Sequence, residues 1–230
     1  MKPWLVEQWC LAPTADPAFV WHMEDVLDVY HRPFDPRRPV VCLDETSRQL
    51  LGEVRAPQLA VPGQPARRDP EYVRGGVANL FLLTEPLRGW RTVRVSDQRT
   101  RLDFAACVKD LVDVHYPQAE RIVLVLDQLN THSPGSLYAA FPPAEAKRLA
   151  DKLEIHQTPK HGSWLNMAEL ELSVLQRQCL RQRLEDRLAM EREVTAWARR
   201  RNAAIKRIDW QFTTADARIK LRRLYPALQP

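Results

Sequence analysis

Between Arg121 and Asp127 the chain runs Ile-Val-Leu-Val-Leu, five apolar residues with no polar break. A run of that length and purity is expected of a strand buried on both faces, as in a sheet with helices packed on either side. It ends at Asp127 and continues Gln128-Leu129-Asn130-Thr131-His132. An earlier run, Val40-Val-Cys-Leu43, ends in the same way at Asp44. Two apolar strands that each finish on an aspartate constrain both the fold and the chemistry.

The other elements follow from spacing and punctuation. Asp16-Pro17 can cap and open a helix carrying Phe19, Met23, Val26, Leu27 and Tyr30, which Pro33, Pro36 and Pro39 end. Gly52 to Gly76 has five prolines or arginines in its second half alone and no periodicity, so it predicts a long loop, of a length that is usually functional or disordered. Gly76 to Pro86 reads as a strand, Gly89-Trp90 as its turn and Arg91 to Ser96 as the return strand. Thr100 to His115 has helical spacing up to Pro117. Ser136 to Phe141 and Pro143 to Lys152 read as helices, and Leu153 to Gln157 as a short strand. Ser163 is placed to cap a long final helix that breaks near Asp186 and runs on to about Arg207. Three meandering strands followed by alternating α and β predict an α/β fold with a mixed central sheet flanked by helices.

Composition removes several classes. The longest apolar runs are far short of a bilayer span. The first residues include Glu7 and no long apolar stretch, so neither a signal peptide nor an anchor is expected, and the product is predicted to be cytoplasmic. Cys10, Cys42, Cys107 and Cys179 are scattered and read as small buried hydrophobes. The six histidines form no zinc-binding pair. Charge is uneven: Arg177 to Arg223 holds fourteen Lys or Arg against six Asp or Glu, a net +8, where the whole chain carries +5. A basic face beside an acidic pocket suits a polyanion held over a metal, although an Arg-rich helix is also a common solvated surface.

The candidate chemistry rests on carboxylates. Ligands bind at the C-terminal edge of an open α/β sheet, where Asp44 and Asp127 both fall. If their strands are neighbours, the two charges repel unless a cation sits between them. Mg²⁺ suits such oxygen donors. The bland alternative for each aspartate is a turn former after a strand. A third carboxylate is expected from the helix after Thr158-Pro-Lys160-His161-Gly-Ser163. Glu169 and Glu171 lie about 200° apart on that helix, so only one can serve. Two apolar stripes flank them, and periodicity leaves the choice open. Asp97 and Asp103 read as caps or solvent-facing groups. Alternation sends Glu45 to the opposite sheet face from Asp44.

Several motifs then occur in order: Leu43-Asp44-Glu45; Asn79-Leu-Phe with Glu85-Pro-Leu-x-Gly89-Trp90; Val125-Leu-Asp127-x-Leu-Asn130-Thr-His132; His161-Gly-Ser-Trp-Leu-Asn166-Met-Ala-Glu169; and Asp209-Trp-Gln-Phe-Thr-Thr-x-Asp216-Ala-Arg218. From about residue 38 onward the chain resembles the DDE transposases of the bacterial insertion-sequence-630 family, in the mariner superfamily. The resemblance implies an RNase H-like fold over residues 39–207, with 1–38 as a helical extension or linker and 208–230 as a tail. It implies a catalytic, metal-binding triad of Asp44, Asp127 and Glu169, and two Mg²⁺ ions that Mn²⁺ can replace. It implies cleavage of double-stranded DNA at element ends, joining of the 3′ ends to a target at TA, and a homodimer on DNA. The segment 52–76 resembles the mariner clamp loop. Gln128 departs from the family's usual Asn after the second Asp. Only about forty residues precede the first strand, too few for the family's helix-turn-helix region. The chain therefore looks like a catalytic half whose DNA reader is a separate helix-turn-helix polypeptide, or a truncated copy.

Around that triad, Asn130 and His132 are candidates for holding a phosphate or a water, or for stabilising a turn. Lys160 and His161 are placed to meet the scissile strand. Asn166 completes the Asn-x-x-Glu motif. Arg67, Arg68 and Arg74 in the loop and Arg177 and Arg181 on the last helix are candidate DNA contacts. Two other readings stay open: a general RNase H-like nuclease, and a non-catalytic DNA-binding remnant.

Overall fold

The computed structural model describes residues 15–227. Ile122–Leu126 forms strand β4, and all five of its side chains are buried. It lies in a five-stranded sheet with β1 (Val40–Glu53), β2 (Tyr72–Glu85), β3 (Trp90–Ser96) and β5 (Leu153–Gln157), in the order β3-β2-β1-β4-β5. β1 is antiparallel to β2 and parallel to β4, and β4 is parallel to β5. The sheet is therefore mixed, as the element order predicts.

Alternation along the strands builds two cores. Cys42, Val123 and Val125 face one, shared with α1 (Pro17–Tyr30), α5 (Met167–Gln178) and α6 (Arg187–Ala203). Val41, Leu43, Leu124 and Leu126 face the other, shared with α2 (Arg101–Asp110), α3 (Pro134–Ala140) and α4 (Pro143–Asp151). α1 begins as expected, with the Asp16 carboxylate accepting from Ala18 N at 3.0 Å and Phe19 N at 3.1 Å. Cys42, Cys107 and Cys179 are buried, as read from the sequence; Cys10 lies outside the described residues.

Several boundaries differ from the sequence reading. β1 does not stop at Leu43. It continues through Asp44 to Glu53, and its last part, Arg48 to Glu53, pairs with Tyr72 to Ala78 of β2 as a two-stranded ribbon beyond β3, with a register shift at Leu50/Leu51. Much of that ribbon faces solvent, so it lacks the apolar signature of a core strand. The loop shrinks accordingly to residues 54–71. It is less irregular than expected, because bridges Gln58↔Arg67 and Val61↔Gln64 fold it into a small hairpin-like tip. Ser163 caps no helix: it opens a single 3₁₀ turn, and Asn166 caps α5 instead. The helix from Thr100 ends in a π turn over Leu111–His115. α6 stops at Ala203, and Ile205 takes a left-handed φ of 45°.

The C-terminal segment contains a helix that periodicity does not reveal, α7 (Thr214–Lys220), opened by a capping box between Thr213 and Asp216. Arg218 pairs with Glu24 of α1 at 2.8 Å. At the other corner, Glu154 of β5 accepts from Arg32 at 2.6 Å and also pairs with Arg38 and His156. Burial raises the Glu154 carboxyl, but hydrogen bonds from Arg32, His156 and Arg38 outweigh it and hold the group at about 2. A depressed carboxyl contributes stability above its ordinary pKa and loses it as pH falls toward the depressed value. Glu154→Gln should therefore flatten the acid loss of stability between about pH 4.5 and 2, read by denaturant titration at each pH.

Tyr30 ties α1 to the segment that leads into α5. Its hydroxyl donates to Leu165 O at 2.7 Å and accepts from Met167 N at 3.4 Å. Tyr30→Phe should cost about 1–3 kcal/mol, because Leu165 O is left buried and unpaired. An unchanged denaturation midpoint would remove that role.

Candidate active site

β1 and β4 lie side by side, with Cys42 opposite Val125. The same offset two residues on sets Asp44 opposite Asp127. Asp127 follows the C-terminal end of β4, whereas Asp44 lies within β1, which runs on to Glu53, and so is not the strand end expected from the sequence. By alternation the two carboxylates share the face of Cys42 and Val125, on which α5 packs.

A cleft of about 490 Å³ opens at Asp44. β1 lines one wall as far as Arg48, and α5 lines the other from Glu169 to Gln176. A larger cavity of about 790 Å³ lies at the other end of the sheet, among Phe34, Trp90 and Ile205. Its single lining carboxylate, Asp209, gives it no comparable acidic chemistry.

The helix carboxylates separate as their 200° spacing requires. Glu169 lines the cleft with Asp44. Glu171 is buried on the other side, within 3.4 Å of Arg91 and 2.7 Å of Arg201. Asn166 sits where the helix meets the strand. Its amide donates to Leu43 O at 2.9 Å, and its oxygen accepts from Ala168 N at 3.0 Å. One side chain thus caps α5 and fixes it to the residue before Asp44.

Electrostatics mark Asp44. Burial raises its carboxyl to about 7, and the charges of Asp127, Glu169 and Glu45 push it the same way against the Glu45 N–H, which lowers it. Asp127 is held differently. One of its oxygens accepts from Leu129 N at 3.2 Å and lies 2.5 Å from His132 Nδ1. His132 Nε2 lies 2.7 Å from a carboxylate oxygen of Glu45. Burial lowers the His132 pKa, but hydrogen bonding to Asp127 and Glu45 prevails and raises it to about 9. The ring packs on Phe104 with centroids 4.9 Å apart. Glu45 therefore joins the site through His132, although alternation turns it from the Asp44 face. Sequence reading passes over that link, because nothing in the spacing shows that the turn after Asp127 folds His132 back across two strands.

Among the described residues, no three His, Cys, Asp or Glu side chains form a group ready to hold an ion. The donor chemistry nevertheless fits a hard divalent cation: carboxylates lie near a half-buried aspartate whose ionisation their charges oppose.

The remaining candidates divide. Gln128 reaches across to donate to Thr158 O at 3.1 Å, joining the end of β4 to the loop before α5. That loop exposes Lys160 and His161, the latter with a φ of 64°. Asn130, Arg67, Arg74, Arg177 and Arg181 are exposed. Arg177 touches Ser173 Oγ at 3.1 Å. Arg68 is committed to Glu53, at 3.0 Å, which also binds Arg183 at 2.6 Å. These two arginines pin the base of the ribbon.

A five-stranded mixed sheet with helices on both faces, in the order β3-β2-β1-β4-β5, is an RNase H-like fold. Residues 39–191 match the model of the family described as DDE superfamily endonuclease, and the chain belongs to that family. Solved structures share the fold. The mariner Mos1 paired end complex with Mg aligns with a TM-score of 0.57 at 14% identity, covering 96% of this chain and 67% of that one. The Mos1 strand transfer complex aligns with a TM-score of 0.55 at 13% identity, covering 87% and 62%. The Mos1 mariner paired end complex with Mn aligns with a TM-score of 0.54 at 14% identity, covering 87% and 63%. This chain thus spans about three fifths of the length of the latter two. At such identity the likeness concerns the fold alone. No curated protein sequence matches the chain. Among the described residues, no helix is long and apolar enough to cross a membrane.

Proposed function

We propose that this DDE endonuclease domain is the catalytic part of a transposase of the insertion-sequence-630 type, which cleaves double-stranded DNA at element ends and joins the 3′ ends to a target at TA. The observation that carries this reading is a cleft lined by both Asp44 and Glu169, with Asp127 after the neighbouring parallel strand and its charge felt by the Asp44 carboxyl.

Asp44, Asp127 and Glu169 would hold two Mg²⁺ ions, which when bound activate the attacking oxygen and stabilise the leaving one. The rest of the work falls to the chain's own groups. His132 fixes the orientation of Asp127 by bonding it at Nδ1. Asn166 sets Glu169 relative to β1. Lys160 and His161 bind backbone phosphate beside the cleft. Arg67, Arg74, Arg177 and Arg181 add contacts that position duplex without reading sequence. Two such subunits act on the DNA, and a separate helix-turn-helix polypeptide reads the element ends. Two Mos1 paired end complexes, one with Mn and one with Mg, and a Mos1 strand transfer complex share the fold, which supports metal use and DNA as the substrate class.

The test is a Mn²⁺ titration of wild type and Asp127→Ala, followed by water-proton relaxation, with and without duplex DNA. Enhancement in wild type that the variant lacks is expected. Equal signals would remove the metal site and favour the DNA-binding remnant. Cleavage without joining in a subsequent assay would favour a general nuclease.

A further inference from the structure

Helix α5 has two apolar stripes, Ala168, Leu172, Leu175 on one side and Met167, Leu170, Val174 on another. In the observed rotation Leu175 is fully buried, while Leu170 is 44% exposed. Both stripes nevertheless pack, with Met167, Ala168 and Leu175 buried and Leu172 and Val174 against the same core, so apolar burial centres the helix on the sector between them, where Glu171 lies. Turning the helix toward its second stripe would bury Leu170 and carry Glu169 away from the cleft.

Glu171 discriminates between these rotations. Its carboxylate is 1% exposed and faces two guanidinium groups. Arg201 of α6 forks onto both of its oxygens at 2.7 and 3.2 Å, with its guanidinium over the Trp197 ring at 5.5 Å. Arg91 of β3 has a side chain with no exposed surface, and its Nε lies 3.4 Å from Glu171. That Nε has no other acceptor. Arg91 itself cannot follow a moving partner. It donates to Gly89 O at 2.9 Å, to Asn202 Oδ1 at 3.3 Å and to Lys206 O. The Asn202 amide also grips the backbone N and O of Arg91, each at 2.9 Å. A rotated α5 would leave the buried Arg91 and the partly buried Arg201 without their anion, an unfavourable outcome.

We propose that the Arg91–Glu171–Arg201 triad is a positioning device that sets the rotation of α5 and so aims Glu169 at the cleft. Buried ion pairs add little stability over apolar packing but can select one arrangement among several. The proposal deepens the transposase reading and rests on it for its purpose, since the aim of Glu169 matters only if Glu169 serves the cleft.

The test replaces all three side chains by apolar ones of similar volume, Arg91→Met, Glu171→Leu and Arg201→Met, in a protein that also carries Leu175→Cys as a reporter on the buried face. Labelling of the reporter thiol is mapped by mass spectrometry, with cooperative thermal unfolding as proof of folding. Labelling is expected to rise at least about tenfold over the same reporter with the triad intact. Mn²⁺ affinity should fall in the same variant. Glu171→Gln with the same reporter, which keeps shape and removes the anion, should also lose protection. Retained protection in either folded variant overturns the proposal, whatever the metal result. A wild-type protein that binds no Mn²⁺ would instead sink the transposase reading and leave the labelling result standing.

Discussion

Asp44→Asn is expected to abolish DNA cleavage while making the metal-free protein more stable. The loss of activity follows from the proposed site, in which Asp44 would be one of three metal donors: its removal would cost several kcal/mol of transition-state stabilisation, or roughly 10³-fold in rate. The gain follows from electrostatics. Asp44 is pushed by burial, and then by Asp127, Glu169 and Glu45, from an ordinary 3.8 to about 7. A carboxyl raised on folding imposes no cost below its unfolded pKa, where both states are protonated. The cost grows as pH rises from about 4 to about 7 and is complete above that. Asparagine keeps the shape and has nothing to ionise. Denaturant titrations in chelator should show equal stability near pH 3.5, a growing advantage for the variant through pH 4 to 7, and a plateau of at most about 4 kcal/mol beyond. An active variant would remove Asp44 from the site. A variant no more stable at pH 8 would mean that the carboxylates do not crowd one another.

Asn166→Ala should damage both stability and catalysis. Truncation removes the α5 cap, worth about 1 kcal/mol. It also leaves the Leu43 carbonyl buried without its donor, for a further 1–3 kcal/mol or so. The expected total is roughly 2–4 kcal/mol, measured by chemical denaturation. Asn166→Asp separates the two roles. Aspartate can still accept from Ala168 N, so the cap survives, but it cannot donate to Leu43 O. It also adds a negative charge close to Asp44. Asn166→Asp should therefore recover part of the lost stability and none of the lost cleavage. If Asp restores cleavage, the bond to Leu43 is dispensable and Asn166 is only a cap.

Both predictions concern residues that stand out in the chain as it is written. Asp44 and Asp127 each end an apolar run, and the purity of Ile122–Leu126 already requires a sheet covered on both faces. Element order, the mixed sheet and most helix starts follow from local chemistry: Pro and Gly punctuation, Asp16 as a cap, and period-2 or period-3.6 spacing. Local signals failed where an element's neighbours rather than its own residues stabilise it. The ribbon of β1 and β2 beyond Ser47 is half solvated, and it exists because each strand supplies the other's backbone partners. The Thr213–Asp216 capping box was available to be read but introduces only seven residues of helix, too few for a period to show.

The catalytic candidates divide along the same line. Sequence alone names the two aspartates, because the end of an apolar run is a local property. It cannot choose between Glu169 and Glu171, since two apolar stripes leave the rotation of α5 open. In the structure Glu171 lies against Arg91 of strand β3 and Arg201 of helix α6, and Glu169 lines the cleft. Nor can it show that His132 bridges Asp127 and Glu45, because the bridge spans two strands brought together only by the parallel pairing of β1 with β4. Residue type and order fixed the donors; long-range packing and buried charge decided which of them face one another.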